Sequence, residues 1–167
     1  FLAQPTDGAA GVSVLTPNRR LAQALQTDLD HWESTRGLQA WEAADILPPE
    51  AWLTRWHAQF TQQASLGDLP VPPGVLRPEQ EQWLWEQVIA ATPEGKQLLV
   101  PGQAAAQCRD AWSQVHAWGM LPALMTVEGN PDAQAFWHWS RAYDDRCNQL
   151  GLIDQARLPD RIADWLR

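Results

Sequence analysis

Val12-Ser13-Val14-Leu15-Thr16-Pro17-Asn18-Arg19-Arg20-Leu21-Ala22 decides the fold. Its opening run, 12–16, is rich in β-branched residues and reads as a short buried strand. The next residues stop that strand and open a helix. Thr16 is a side chain able to cap, and Pro17 takes the first helical position, where its missing N–H costs nothing. Leu21, Leu25, Leu29 and Trp32 then recur at helical spacing and define one apolar face down to about Arg36, with Gly37 placed to end the helix.

Ala44 to Leu47 reads as a second short strand, and Pro48 and Pro49 open a helix carrying Trp52, Leu53, Trp56 and Phe60. Strand, helix, strand, helix in about 60 residues is the outline of a parallel βαβ unit with a right-handed crossover. The stretch 65–77 has prolines at 70, 72 and 73 and glycines at 67 and 74. It reads as a linker between a first domain, 1–64, and a second, 78–167.

The second domain reads as all helix. Pro78 opens a helix with Trp83, Leu84, Val88 and Ala91 inward, ending near Gly95. Another spans about Gly102 to Trp118 with Cys108, Trp112 or Ala111, Val115 and Trp118 inward. Asn130 and Pro131 start a third, whose stripe is Phe136, Trp139 or Ser140, Tyr143, Cys147 and Leu150, closed by Gly151. Pro159 opens a last helix with Ile162 and Trp165. The expected class is therefore α/β and helix-dominated: a short parallel βαβ element followed by an all-helical lobe. The chain opens on Phe1 and stops at Arg167 inside a helical pattern, so it reads as a portion of a longer product, truncated at the C-terminal end.

Net charge is −8, and only Lys96 among the twelve basic residues is a lysine. A duplex-DNA binder usually carries a basic face, because phosphate neutralisation supplies most of its affinity. Taken alone, this chain is expected to bind nucleic acid weakly. Eleven tryptophans could serve as stacking platforms for single strands, but without interleaved basic residues they read as fillers of helix seams. No apolar run approaches the roughly 18 residues of a membrane span, and residues 1–11 lack the pattern of a signal peptide. Cys108 and Cys147 are too few for a disulfide framework, which points to the cytoplasm.

Motifs that carry chemistry fail one by one. Gly95–Lys96 is followed by Gln97, has Ala90 where a phosphate loop needs its first glycine, and ends a helix. His31, His57, His116 and His138 offer no pair at metal-binding spacing, so no metal and no cofactor are expected. Asp144 and Asp145 lie mid-helix and read as surface residues, not as an acidic pair at a strand end. No serine sits in a nucleophile elbow. No catalytic residue is assigned, and the chain is expected not to be an enzyme.

One corner has a mechanism. Thr16, Asn18, Arg19 and Arg20 lie where the first strand turns into the first helix, so unpaired N–H groups, the positive dipole end and two guanidinium groups converge. In open α/β sheets this is the edge where nucleotides dock, making these four residues the candidate nucleotide- or phosphate-binding set. The plainer reading is a helix cap with two solvated arginines. Arg55 on the following helix could add to the corner, and Arg109, Arg141 and Arg146 lie on polar sides of later helices.

The same segment, Val14 to Ala22, resembles the opening of a family of bacterial DNA-repair proteins akin to the AddB subunit of helicase–nucleases. These are described as inactivated superfamily I helicases with a RecB-like nuclease at the C-terminus. Ala44 to Pro48 with Ala51-Trp52-Leu53 is similar to the family's second strand and helix. Leu84-Trp85-Glu86, Ala111-Trp112 and Phe136 to Asp154, with Gly151-Leu152-Ile153-Asp154, fit too. The resemblance implies a helicase 1A-like start over 1–64 and a 1B-like lobe over 78–167, with the nuclease beyond Arg167. It implies a non-catalytic scaffold or DNA-channel module, since no Gly-Lys-Thr stands at Thr16–Arg20. DNA is then a partner only within the longer protein, alongside a helicase or nuclease subunit, and no membrane is involved. The alternative is a stand-alone helical protein-interaction module with a tryptophan-rich groove.

Overall fold

A computed structural model describes residues 12–67, 70–124 and 130–167. The chain divides into two compact units: one reaches to Pro72 and takes in Ile162–Arg167, the other is Pro73–Arg161.

The first unit is built on β1 (Val14–Leu15), α1 (Arg19–Thr35), β2 (Ile46–Leu47) and α2 (Pro49–Ser65). β1 and β2 run parallel with Val14 opposite Ile46 and Leu15 opposite Leu47, so the expected βαβ element is present. The Val14 N–H donates to the Asp45 carbonyl at 2.8 Å and the Thr16 N–H to that of Leu47 at 3.1 Å. Ahead of the pair, Asp45 accepts from Ser13 and takes both ends of the Arg55 guanidinium at 2.6 and 2.8 Å, tying the strand entrances to α2.

Local detail departs from expectation at three points. Thr16 is not the cap: α1 starts at Arg19 and Asn18 caps it, its side chain accepting from the Leu21 N–H at 2.9 Å. An extended Asn18 places its short carbonyl where the first-turn donors point, whereas Thr16 still belongs to the strand's ladder. β1 is not buried, with Val14 and Leu15 both exposed. On α1 only Ala22 is buried, while Leu21, Leu25 and Trp32 of the apolar face are exposed. Periodicity marks a face suited to burial; it does not supply the partner.

Aromatic contacts organise α2. Trp52 meets Trp56 edge-on at 5.8 Å, Trp56 lies 5.7 Å from Phe60, and Phe60 lies 5.0 Å from Trp165.

The second unit holds β3 (Gly74–Val75), α3 (Pro78–Ala91), α4 (Pro101–Ala117), α5 (Leu121–Leu124), α6 (Pro131–Leu150) and β4 (Leu152–Ile153); α7 (Leu158–Trp165) begins in it. The second lobe is therefore not all-helical, and the proline-rich stretch is not all loop. β3 and β4 pair in parallel, Gly74 opposite Leu152 and Val75 opposite Ile153. The cause is local at each end. Gly151 adopts a left-handed φ of 64° that stops α6 and throws the chain into extension, and Pro72 and Pro73 bias the residues around them toward extended backbone. Strands of two residues are too short to leave a periodic signal.

α3, α4 and α6 share one core, with Leu84, Trp85, Ile89, Trp112, Tyr143 and Cys147 at its centre. The buried stripe of α3 is Glu81, Leu84, Trp85, Val88 and Ile89, so Trp83, expected inward, is 58% exposed. Trp118 and Leu150 also face outward, each at the end of its helix. Gly95 comes so close to the end of α3 that a Cβ would stand 1.8 Å from the Ile89 carbonyl oxygen. Backbone cannot give way as a side chain does, so Gly95→Ala is expected to destabilise by about 1–3 kcal/mol in urea unfolding.

Candidate functional site

At the strand-to-helix corner, the four expected residues are brought together by sequence adjacency, but they differ in availability. Thr16 is buried, and its hydroxyl donates to the Asn18 carbonyl at 3.1 Å. Asn18 occupies the Leu21 N–H that an incoming anion would otherwise meet. Arg19 and Arg20 are exposed, and their side chains have no hydrogen bond or ion pair among the described residues. The corner's phosphate-binding capacity thus rests on two free guanidinium groups at the N-terminus of a 17-residue helix.

Arg55 does not extend this corner. Its guanidinium is committed to Asp45 and Ser13. The hydrogen bond from Arg55 holds the Asp45 carboxyl below its ordinary pKa against the opposing effect of burial, and Asp45 raises that of Arg55 in return. Arg141 lies over the Trp137 ring at 5.9 Å, and Arg109 approaches Asp110 at 3.6 Å.

A second constellation, in the other unit, has no counterpart among the residues singled out for chemistry. Asp154 follows β4 and is fully buried. Its carboxylate accepts from the Trp112 indole N–H at 3.1 Å, the Arg157 backbone N–H at 3.0 Å and the Arg157 Nε at 2.8 Å. Arg157 also donates to Asp144, which is therefore half of an ion pair and not an ordinary surface residue. The guanidinium lies 5.6 Å from the Trp112 ring and 5.9 Å from that of Tyr143, and Tyr143 stacks on Trp85 at 4.1 Å. Burial opposes the charge on Arg157, but the surrounding carboxylates outweigh it and raise its pKa.

Three more groups complete the cluster. Glu81 on α3 is 5% exposed, and burial, reinforced by the charge of Asp154, pushes its carboxyl up to about 7. His116 lies edge-on to Trp112 at 4.2 Å with Nε2 buried and unpartnered, and burial lowers its pKa. The Tyr143 hydroxyl is held neutral, mainly by burial. Burial raises both thiols, that of Cys108 to about 11, away from the nucleophilic thiolate. The cluster is arranged to hold α3, α4, α6 and the β4 segment together. It presents no activated nucleophile.

Among the described residues no three His, Cys, Asp or Glu side chains come together as a metal site, and no helix is long and apolar enough to cross a membrane. Comparison of the chain with family models, with curated proteins and with solved structures finds no match in any of the three.

Proposed function

We propose that this chain is a non-catalytic, helicase-like module of a recombinational DNA-repair protein, serving as a scaffold that contributes part of a DNA path. The observation that carries this reading is the free Arg19–Arg20 pair at the carboxyl edge of a parallel strand, where an active phosphate loop would place its lysine. Two guanidinium groups there suit a nucleic-acid backbone, and the corner lacks both the lysine and the acidic partner that ATP hydrolysis uses. A second reading, a protein-interaction module, draws on one observation: the exposed Leu21, Leu25 and Trp32 on α1.

Fluorescence anisotropy with labelled single-stranded and duplex oligonucleotides at two salt concentrations separates the two. Against a net charge of −8, two arginines should give dissociation constants no tighter than about 10⁻⁵ M at physiological salt. Replacing both by alanine should lower the salt slope by about two. A slope indifferent to the double substitution would remove the DNA reading and leave the interaction module. Submicromolar, salt-resistant binding that quenches tryptophan fluorescence would instead make the indoles a stacking surface. ATP turnover abolished by Arg19→Ala would overturn the non-catalytic assignment.

A further inference from the structure

α1 carries a second stripe that its own unit leaves uncovered. Its packed side is Ala22, Gln26, Leu29 and Glu33, all buried or half-buried. Beside it, Leu21, Leu25, Asp28 and Trp32 recur at intervals of four, three and four residues, and all are exposed, the three apolar ones by 37–52%. That spacing is the seam of a coiled coil, on which two helices interlock. Trp32 is held in place at the end of the stripe. The Arg36 guanidinium lies over its ring at 4.5 Å and is tied in turn to Glu33 at 3.3 Å.

The charges on α1 select what covers the stripe. Asp30 accepts from Gln26 and from the Trp41 indole, and Glu33 takes Arg36. Arg19, Arg20 and Asp28 remain as the charged side chains of α1 with no hydrogen bond or ion pair among the described residues. The uncommitted cations stand at the N-terminal end, and the uncommitted anion stands on the seam about two turns later. A parallel pair of such helices would set Asp28 against Asp28 and arginines against arginines. An antiparallel pair centred on Ala24 sets Arg20 against the partner's Asp28, twice over, and opposes the two helix dipoles. Ala24 is small and exposed, so the two helices can approach closely at the axis.

We propose that the Leu21, Leu25, Asp28 and Trp32 stripe is a self-association surface whose occupant is α1 of a second copy of this chain, packed antiparallel about Ala24. Leu21 and Leu25 of both copies fill the centre, Arg20 pairs with the partner's Asp28 on each side, and Trp32 closes each end. The contact is isologous, so two copies complete it. Its area is that of one helix face, which places it among weak, reversible contacts with a dissociation constant on the order of 10⁻⁵ M. Arg19 lies off the stripe and stays available to a phosphate, so the dimer goes beyond the DNA reading without displacing it.

Sedimentation velocity on the 167-residue chain tests this. The mass should rise from one chain to two between about 1 μM and 300 μM, at lower concentration as salt is reduced. Leu25→Glu should abolish the dimer, since it brings like charges to the axis. Arg20→Glu and Asp28→Arg should each weaken it roughly tenfold, and the two together should restore it, because the charges are exchanged and not lost. All three side chains are exposed, so the far-UV circular dichroism of the variants should match that of the parent chain. A chain that stays monomeric to about 1 mM would overturn the proposal and leave the stripe to a different protein or to none. A dimer indifferent to Leu25→Glu would put the contact elsewhere, and a double variant no tighter than the single ones would refute the antiparallel register. No oligonucleotide enters the experiment, so its failure and that of the DNA reading are separate results.

Discussion

Asp154→Ala is expected to destabilise the second unit by about 3–5 kcal/mol, read as the shift in its urea midpoint near pH 6. The carboxylate is fully buried and accepts three hydrogen bonds, two of them from Arg157 in the turn that follows it and one from Trp112 on α4. Removing it leaves a guanidinium that is 15% exposed with Asp144 as its one remaining ion-pair partner among the described residues, and a buried indole N–H with no acceptor among them. The loss comes less from the missing attraction than from the desolvated groups left behind. Asp154→Asn keeps the volume and one acceptor, so its loss should be smaller, about 1.5–3 kcal/mol. Arg157→Met combined with Asp154→Leu should be less destabilising than the sum of the two single changes, because neither is then left uncompensated. Additive losses would show that the two act independently and that the cluster is not a unit.

How far the sequence reveals all this depends on the range of the interaction. The parallel βαβ element was legible because its signals are local: a β-branched run, a capping side chain, a helical stripe. Even so, the cap is Asn18 and not Thr16, since either residue type caps and only the backbone decides which one faces the free N–H groups. Burial was less legible. On α3, Leu84 and Val88 face inward as read, but Trp83 and Ala91 do not, because Glu81 reads as polar and Trp83 as apolar although the packed face takes the first and leaves the second out. The Arg19–Arg20 corner lies within one turn of chain and could be named in advance. The Asp154 cluster could not: its Trp112 bond joins residues 42 apart, and only the meeting of α3, α4, α6 and β4 brings them together. One sign was available. An acidic residue directly after the apolar Leu152-Ile153, behind a helix-ending glycine, stands where a short strand ends.

The phase of α3 makes the last prediction a comparison between two tryptophans two positions apart. Trp85→Ala is expected to cost about 3–5 kcal/mol, whereas Trp83→Ala should change stability by no more than about 0.5 kcal/mol. Trp85 is 0% exposed and Trp83 is 58% exposed. The ring of Trp85 stacks on Tyr143 with an interplanar angle of 6°, meets Trp112 edge-on at 6.1 Å and lies 6.4 Å from Phe136. Its removal opens a cavity at the junction of three helices and strips Tyr143 of the face it packs on. Trp85→Phe should be far milder. The indole N–H is buried with no partner, so the smaller ring loses contact area while also deleting an unsatisfied donor, and the two effects oppose each other. Urea midpoints of the three variants decide the matter. Equal losses for Trp83→Ala and Trp85→Ala would mean that both indoles are buried in solution and that the stripe runs where periodicity alone had put it.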